Sequence, residues 1–239
     1  MTEMCIYSRC VFVILYDYDR VILTVESEGL VMETKRNGVT YLGYINSDMT
    51  ESEIREAIPK YKESYTYEDY LTWDESIRWE LIDGVPYVMA GPNVAHQTIN
   101  GNLFLLLANF LKGKHCKVFL AGLDVRLNAD TLDNSAVQPD LLIVCDHSII
   151  DKGSIKGVPD MLVEILSPST AKYDKTIKFE AYQKAGVREF WIIDPEAKTV
   201  TVNILKEGKY ITHPYGENDT VAVHILDGFS VNLSEVFEE

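Results

Sequence analysis

An α/β domain, with a mixed β-sheet flanked by helices and extra β-hairpins at both ends, is the architecture this chain implies. Three observations carry it. A dense apolar stretch of helical length, 93–112, stops at Gly113. Short apolar runs at 117–127, 137–145, 160–166 and 188–193 have strand length, and a second helical stretch, 171–185, separates the last two of them before stopping at Gly186. Helices alternating with strands in this way make a mixed sheet with helical cover. With 239 residues, 46% of them apolar, the chain can bury one sizeable core and carry one small appendage.

The appendage is expected at residues 1–60, where β-type runs such as VFVILY and RVILTV are separated by charged turns and Asn37-Gly38 marks a hairpin. No chemistry-bearing pattern occurs there, and Met32 and Met49 are candidate alternative starts. Thr50 followed by Glu53 has capping-box spacing and predicts a short helix over 50–62 that Pro59 ends. The main domain is expected over 65–236. It opens with a short helix at 67–71 and a pair of strands in WELIDGVPYVMA (79–90) joined at Asp83-Gly84. After the second helix, the strand at 188–193 ends at Asp194-Pro195. Runs 200–205 and 210–213 then flank the Glu207-Gly208 turn as a hairpin, and a last strand covers 220–226.

Lys and Arg total 22 against 37 Asp and Glu, a formal charge of -15. That balance opposes nonspecific binding to a polyanion, so any nucleic-acid site must be local. Cys5, Cys10, Cys116 and Cys145 are scattered without a C-x-x-C pair, and they read as reduced thiols of a cytoplasmic protein. The apolar run 11–15 is too short to span a bilayer, and no export signal is expected.

Asp140 follows Pro139 at the head of one apolar run, and Glu164 lies inside another, Met161 to Leu166. A carboxylate inside a buried strand is costly unless a cation or hydrogen bonds compensate it. Neighbouring strands can bring these two acids to one point, where oxygen ligands suit magnesium or manganese and so the attack of water on a phosphodiester. The alternative is that Asp140 caps a turn while Glu164 pairs with a basic side chain. Asp160, in the second Pro-Asp, is four residues and about 13 Å from Glu164 along a strand, too far to share an ion.

Lys178 follows on the next helix, with Asp174 and Tyr182 one turn away on either side. It is a candidate for stabilising charge on phosphorus, or else half of an exposed Asp174–Lys178 pair. Glu80 is a candidate metal ligand and His96 a candidate orienting residue, with a purely structural histidine as the alternative. Asp124 is a secondary candidate that faces solvent or pairs with Arg126. No P-loop, dinucleotide, nucleophile-elbow or zinc-protease pattern is present.

Taken together, WELIDGVPYVMAGPNVAHQ, LDVRL, VQPDLLIVCD, GVPDMLVEILSPST, the Asp174, Lys178, Tyr182 spacing and AGVREFWIIDP resemble the Uma-two family of bacterial restriction endonucleases, within the PD-(D/E)XK nuclease superfamily. The resemblance runs from about residue 65 to 236. It implies a restriction-endonuclease-like fold and an endonuclease that hydrolyses DNA with one or two magnesium or manganese ions. It also implies that Asp140, Glu164, the Ile165 carbonyl and Glu80 hold the metal, with Lys178 and His96 completing the site. The superfamily's Glu-x-Lys lysine falls on Leu166 here, and Lys178 on the next helix is the matching residue. A homodimer is expected by analogy, since cutting two strands needs two sites. Two rival readings stay open: a catalytically silent nuclease-like binding or assembly module, which the acidic charge favours, and a metal-dependent hydrolase of small phosphorylated molecules.

Overall fold

The computed structural model describes residues 62–73, 75, 78–89, 91–167 and 171–238, together with strand segments 2–6, 9–16, 19–26, 29–36 and 39–45. The chain divides into two compact units, Met1–Gly91 and Pro92–Glu239. The helix expected over 50–62 lies outside the described residues up to its last position, and so does the Asn37-Gly38 turn.

In the first unit, β1 (Thr2–Ile6), β2 (Arg9–Tyr16), β3 (Asp19–Glu26), β4 (Gly29–Arg36) and β5 (Val39–Ile45) pair in chain order as an antiparallel meander. A short helix α1 (Tyr67–Tyr70) follows, capped reciprocally by Thr66 and Asp69. Lys62 beside Asp69, helped by the Thr66 N–H, holds that carboxyl below the usual carboxylate range. β6 (Arg78–Ile82) and β7 (Val85–Met89) form the hairpin expected around Asp83-Gly84. Both turn residues take positive φ, 48° and 79°, the geometry of a two-residue hairpin turn. Gly84 is doubly required, because a Cβ there would collide with Ser64.

The second unit is built on a six-stranded mixed sheet whose centre is β11 (Leu141–Val144), β13 (Met161–Ile165) and β14 (Glu189–Asp194). β8 (Lys117–Leu120) borders β11, while β15 (Thr199–Lys206) and β16 (Lys209–Gly216) continue beyond β14 as a hairpin. β13 and β14 are parallel, and the other pairs are antiparallel. A parallel pair needs a crossover, and the helical stretch 171–185 supplies it. Helix α2 (Val94–Leu111) lays Ile99, Leu103, Leu107 and Leu111, an i, i+4 stripe, into one core with Leu141, Ile143, Met161, Val163, Ile165, Trp191 and Ile193. Side chains alternate across a strand, so Leu162 and Glu164 of β13 fall on the opposite face.

Several apolar runs divide differently from their expected extents. The run 117–127 is two strands, β8 and β9 (Asp124–Arg126), separated at Gly122, whose φ of +101° breaks the extended backbone. The run 137–145 is likewise β10 (Ala136–Val137) and β11, divided around Pro139, which has no N–H for a ladder. β9 pairs antiparallel with β10 and parallel with β12 (Ser154–Lys156), a strand that its short polar sequence hid. The last expected strand, 220–226, is shorter, β17 (Thr220–Ala222), and pairs with β18 (Ser230–Asn232).

Cys116 and Cys145 are not the reduced thiols that their scattered spacing predicts. Cys116 and Cys145 are joined by a disulfide. The β8–β11 register pairs Lys117 with Val144, so one further step sets Cys116 opposite Cys145. Residues 29 apart in sequence become neighbours through strand pairing that spacing alone cannot reveal. Among the described residues no helix is long and apolar enough to cross a membrane.

Candidate active site

Glu164 is 3% exposed, on the face of β13 that looks toward the crossover helix. A carboxylate buried this deeply needs partners, and the crossover provides two. Lys178 Nζ lies 3.0 Å from Glu164 Oε1, and the Tyr182 hydroxyl donates to the same oxygen at 2.6 Å. Lys178 is itself only 1% exposed, and it stands 3.5 Å from Asp174 Oδ1 and 5.5 Å from the centre of the Tyr173 ring. The exposed Asp174–Lys178 pair considered from the sequence is therefore a buried one.

The expected single helix 171–185 is interrupted. α3 (Ala171–Tyr173) leads into a π-helical turn, Asp174–Lys178, before α4 (Phe179–Ala185) resumes the α geometry. Such wider turns recur at functional sites because they displace a side chain from its α-helical position. Here both ends of the turn, Asp174 and Lys178, point inward.

Asp140 precedes β11. The register pairs Leu141 with Val163, so one step back sets Asp140 opposite Glu164. Its Oδ2 accepts the Ile165 N–H at 2.8 Å and meets His96 Nε2 at 3.1 Å. Asn100, one turn after His96 on α2, donates from Nδ2 to the Asp140 carbonyl at 3.2 Å, and the Ala121 N–H donates to that carbonyl at 2.9 Å. The amino end of α2 thus grips Asp140 by side chain and main chain together, while the Asn93 side chain caps the helix by accepting the His96 N–H at 2.9 Å.

His96 and Asn100 are 7% and 4% exposed, and His96 Nδ1 and Asn100 Oδ1 have no hydrogen-bond partner among the described residues. Asn100 was not singled out from the sequence. The available hint was its i+4 spacing from His96, but its partner is a main-chain carbonyl, which no side-chain pattern announces.

Asp140, Glu164, Ile165, Lys178 and His96 are thus gathered within the second unit. Glu80 belongs to the first unit, fully buried on β6 and paired in register with Tyr87. Asp160 accepts the Cys145 N–H and pairs with Arg188 at 3.2 Å, so it is structural. Asp124 accepts from Gln138 at 3.0 Å, and Arg126 pairs with Asp133.

The donor chemistry fits a hard divalent cation. Asp140 and Glu164 lie at opposed positions of adjacent chain segments, and Asp140 Oδ1 receives no hydrogen bond among the described residues. No group of three or more His, Cys, Asp or Glu suited to a metal occurs among those residues. Magnesium is commonly held by one or two carboxylates, with water and substrate oxygens completing the shell. A cavity of about 300 Å³ opens at the carboxyl ends of β13 and β14, lined by residues including Asn93, Leu166, Ser167, Asp194 and Glu196, with none of Asp140, Glu164, Lys178 and His96 in its lining. Crevices at the carboxyl ends of parallel strands are the usual ligand position in α/β sheets.

Comparison with known proteins agrees with this architecture. A solved structure described as a "putative nuclease belonging to DUF820", from Anabaena variabilis, superposes with a TM-score of 0.60 at 21% identity, covering 72% of this chain and 97% of that one. The fold is therefore restriction-endonuclease-like, a mixed sheet flanked by helices. Two uncharacterized proteins of Synechocystis sp. are also similar. One is 33% identical over 48% of this chain and 60% of its own length, and the other is 28% identical over 54% and 74%. This chain thus spans less than two thirds of the first of them. Residues 67–234 match the Uma2 family, described as "Putative restriction endonuclease". That match takes in β6, α2, the central strands and the crossover helix, well over half of the 239 residues, and the chain belongs to the Uma2 family.

Proposed function

We infer that the protein is a metal-dependent endodeoxyribonuclease in which Asp140 and Glu164 hold one or two magnesium or manganese ions, assisted by the Ile165 carbonyl. One observation carries this reading: the Asp140 carboxylate bonds to the N–H of the residue after Glu164, while the buried Lys178 ammonium meets Glu164 at 3.0 Å. A cation bound there polarises the phosphoryl group and lowers the pKa of the attacking water. His96 keeps the Asp140 carboxylate in one orientation, and Tyr182 does the same for Glu164. Lys178 supplies fixed positive charge where negative charge builds on phosphorus.

Family membership supports nuclease chemistry, and on the sequence resemblance Asp140, Glu164 and Lys178 stand for the PD-(D/E)XK residues with the lysine moved to the helix. The cavity at the carboxyl ends of β13 and β14 carries Asp194 and Glu196, and the net charge is -15, so a phosphate's approach depends on local cations. A homodimer would present two such sites to the two strands.

The test is conversion of supercoiled plasmid to nicked or linear DNA in magnesium or manganese. Wild type is expected to cut, and Asp140→Ala and Glu164→Ala to lose roughly a hundredfold or more while keeping their circular dichroism. Equal cutting by all three rejects the assignment. The silent-module reading, favoured by the acidic charge, instead predicts no cutting and no calorimetric binding of manganese. Turnover of a model phosphodiester without DNA cleavage would point to a small-molecule hydrolase.

A further inference from the structure

In a chain with 37 acidic residues among 239, no Asp or Glu occurs from 84 to 123. Lys112, Lys114 and Lys117 fall close together in that stretch, where helix α2 ends and β8 begins. All three are exposed, and none has an ion pair among the described residues. Elsewhere in the second unit Lys156 is matched to Asp151 at 2.7 Å, Lys175 to Asp194 at 3.5 Å and Lys198 to Glu217 at 2.9 Å, while Lys178 is buried. Lys114 Nζ stands 2.9 Å from the centre of the Phe110 ring, a contact that leaves its charge unneutralised. His115 and His147 stack at the same corner, with ring centres 4.7 Å apart. Asp146, the acid next to Cys145, accepts the Ser148 N–H at 2.9 Å and the Ser148 hydroxyl at 2.7 Å and does not pair with these lysines.

We propose that this corner, Lys112, Lys114 and Lys117, is a docking surface for the phosphate backbone of a DNA duplex, set apart from the carboxylate site. The inference rests on the reading of DNA as substrate, and it supplies the local cations that a chain of charge -15 needs. Charge complementarity selects the partner: unpaired ammonium groups displace counterions from phosphate, whereas lysines already matched to carboxylates have less to gain. An anionic lipid surface fits less well, because no apolar wedge accompanies the charge; Leu111 is buried and Phe110 stacks on Phe229 at 4.2 Å. Placement also suits a duplex that reaches Asp140. Cys116, inside the basic segment, is bonded to Cys145, and β11 separates Cys145 from Asp140 by about 17 Å at the rise of a strand. Base pairs follow one another every ~3.4 Å, so a duplex lying along β11 meets the corner roughly five base pairs from the cut. Lysine on an edge strand also discourages pairing of that edge, but this accounts for Lys117 alone, since Lys112 and Lys114 precede β8.

Fluorescence anisotropy of a labelled duplex oligonucleotide with the full chain, in EDTA to prevent cleavage, reads these contacts across a series of sodium chloride concentrations. Each phosphate contact contributes about 0.9 to the fall of log K with log salt. The triple variant Lys112→Gln, Lys114→Gln, Lys117→Gln is expected to lower that slope by about 2.7 and to bind roughly tenfold or more weakly at about 0.1 M salt. A control variant, Lys206→Gln with Lys209→Gln, changes two exposed lysines flanking the β15–β16 turn and is expected to keep the wild-type slope.

An unchanged slope in the triple variant overturns the proposal, and so does an equal loss per lysine in the control, which would make binding a property of the whole surface. Failure of wild type to bind the duplex overturns it as well. Wild-type duplex binding by the triple variant, together with a dimer lost in sedimentation or capture by phosphatidylserine vesicles lost, assigns the corner to a second copy or to a lipid surface and overturns the DNA reading of it. If the triple variant loses its circular dichroism, the three single variants carry the test, each with an expected drop in slope of about 0.9. Plasmid nicking separates this proposal from the nuclease reading. A lowered slope in a protein that never nicks supports the docking surface and rejects the nuclease, whereas an unchanged slope in a protein that cuts rejects the docking surface alone.

Discussion

Glu164 shows how a residue that strand formation alone would bury at a loss becomes affordable through its partners. Strand pairing places it in a dry layer, and Tyr182 and Lys178 supply hydrogen-bonded and charged compensation. Tyr182→Phe removes a donor without changing shape, so it should destabilise the protein by about 1–3 kcal/mol, read from urea unfolding. An unchanged midpoint would mean that water replaces the hydroxyl. Asp140 and Glu164 were legible in the sequence because an acid at the head of, or inside, an apolar run conflicts with its surroundings. Asn100 created no such conflict, since one asparagine on a helix is ordinary until its partner, the Asp140 carbonyl, is known.

Helix α2 was legible almost to the residue, because its apolar stripe at 99, 103, 107 and 111 and the Gly113 stop act locally. Its contribution can be measured on one face against the other. Leu107, fully buried, should cost about 2–5 kcal/mol on replacement by alanine. Leu105, 59% exposed, should cost within about 0.5 kcal/mol, and thermal unfolding of the two variants checks the contrast. The strands were less legible. Apolar content marks 117–127 and 137–145 but does not say where each run leaves one sheet and joins another strand set. That choice was made at Gly122 and around Pro139. The π-helical turn was invisible for a related reason: residue periodicity reports an average helix and cannot register one widened turn.

Through the Cys116–Cys145 bond the second unit gains a covalent tie between β8 and β11, closing a sequence separation of 29. Constraining the unfolded chain over such a loop contributes about 2–4 kcal/mol. Paired Cys116→Ser and Cys145→Ser replacement should lower the unfolding midpoint accordingly, and reductant should bring wild type down to the same value. No response of wild type to reductant would show that the thiols stay separate in solution. The tie joins the far end of β11 from Asp140, so the strand that begins at the candidate site is anchored at its other end.

Composition, helix stops, turn residues and isolated acids determined the α/β architecture, the ordered succession of elements and the two carboxylates at the centre of the candidate site. These depend on interactions close along the chain, or on a clash between one side chain and its neighbours. Tertiary structure alone decided that Asp140 and Glu164 fall opposite each other, that Asn100 and Asp174 stand behind them, and that two cysteines meet. Each of those depends on strand register or helix winding, which set distances between residues far apart in the chain and leave no trace in local spacing.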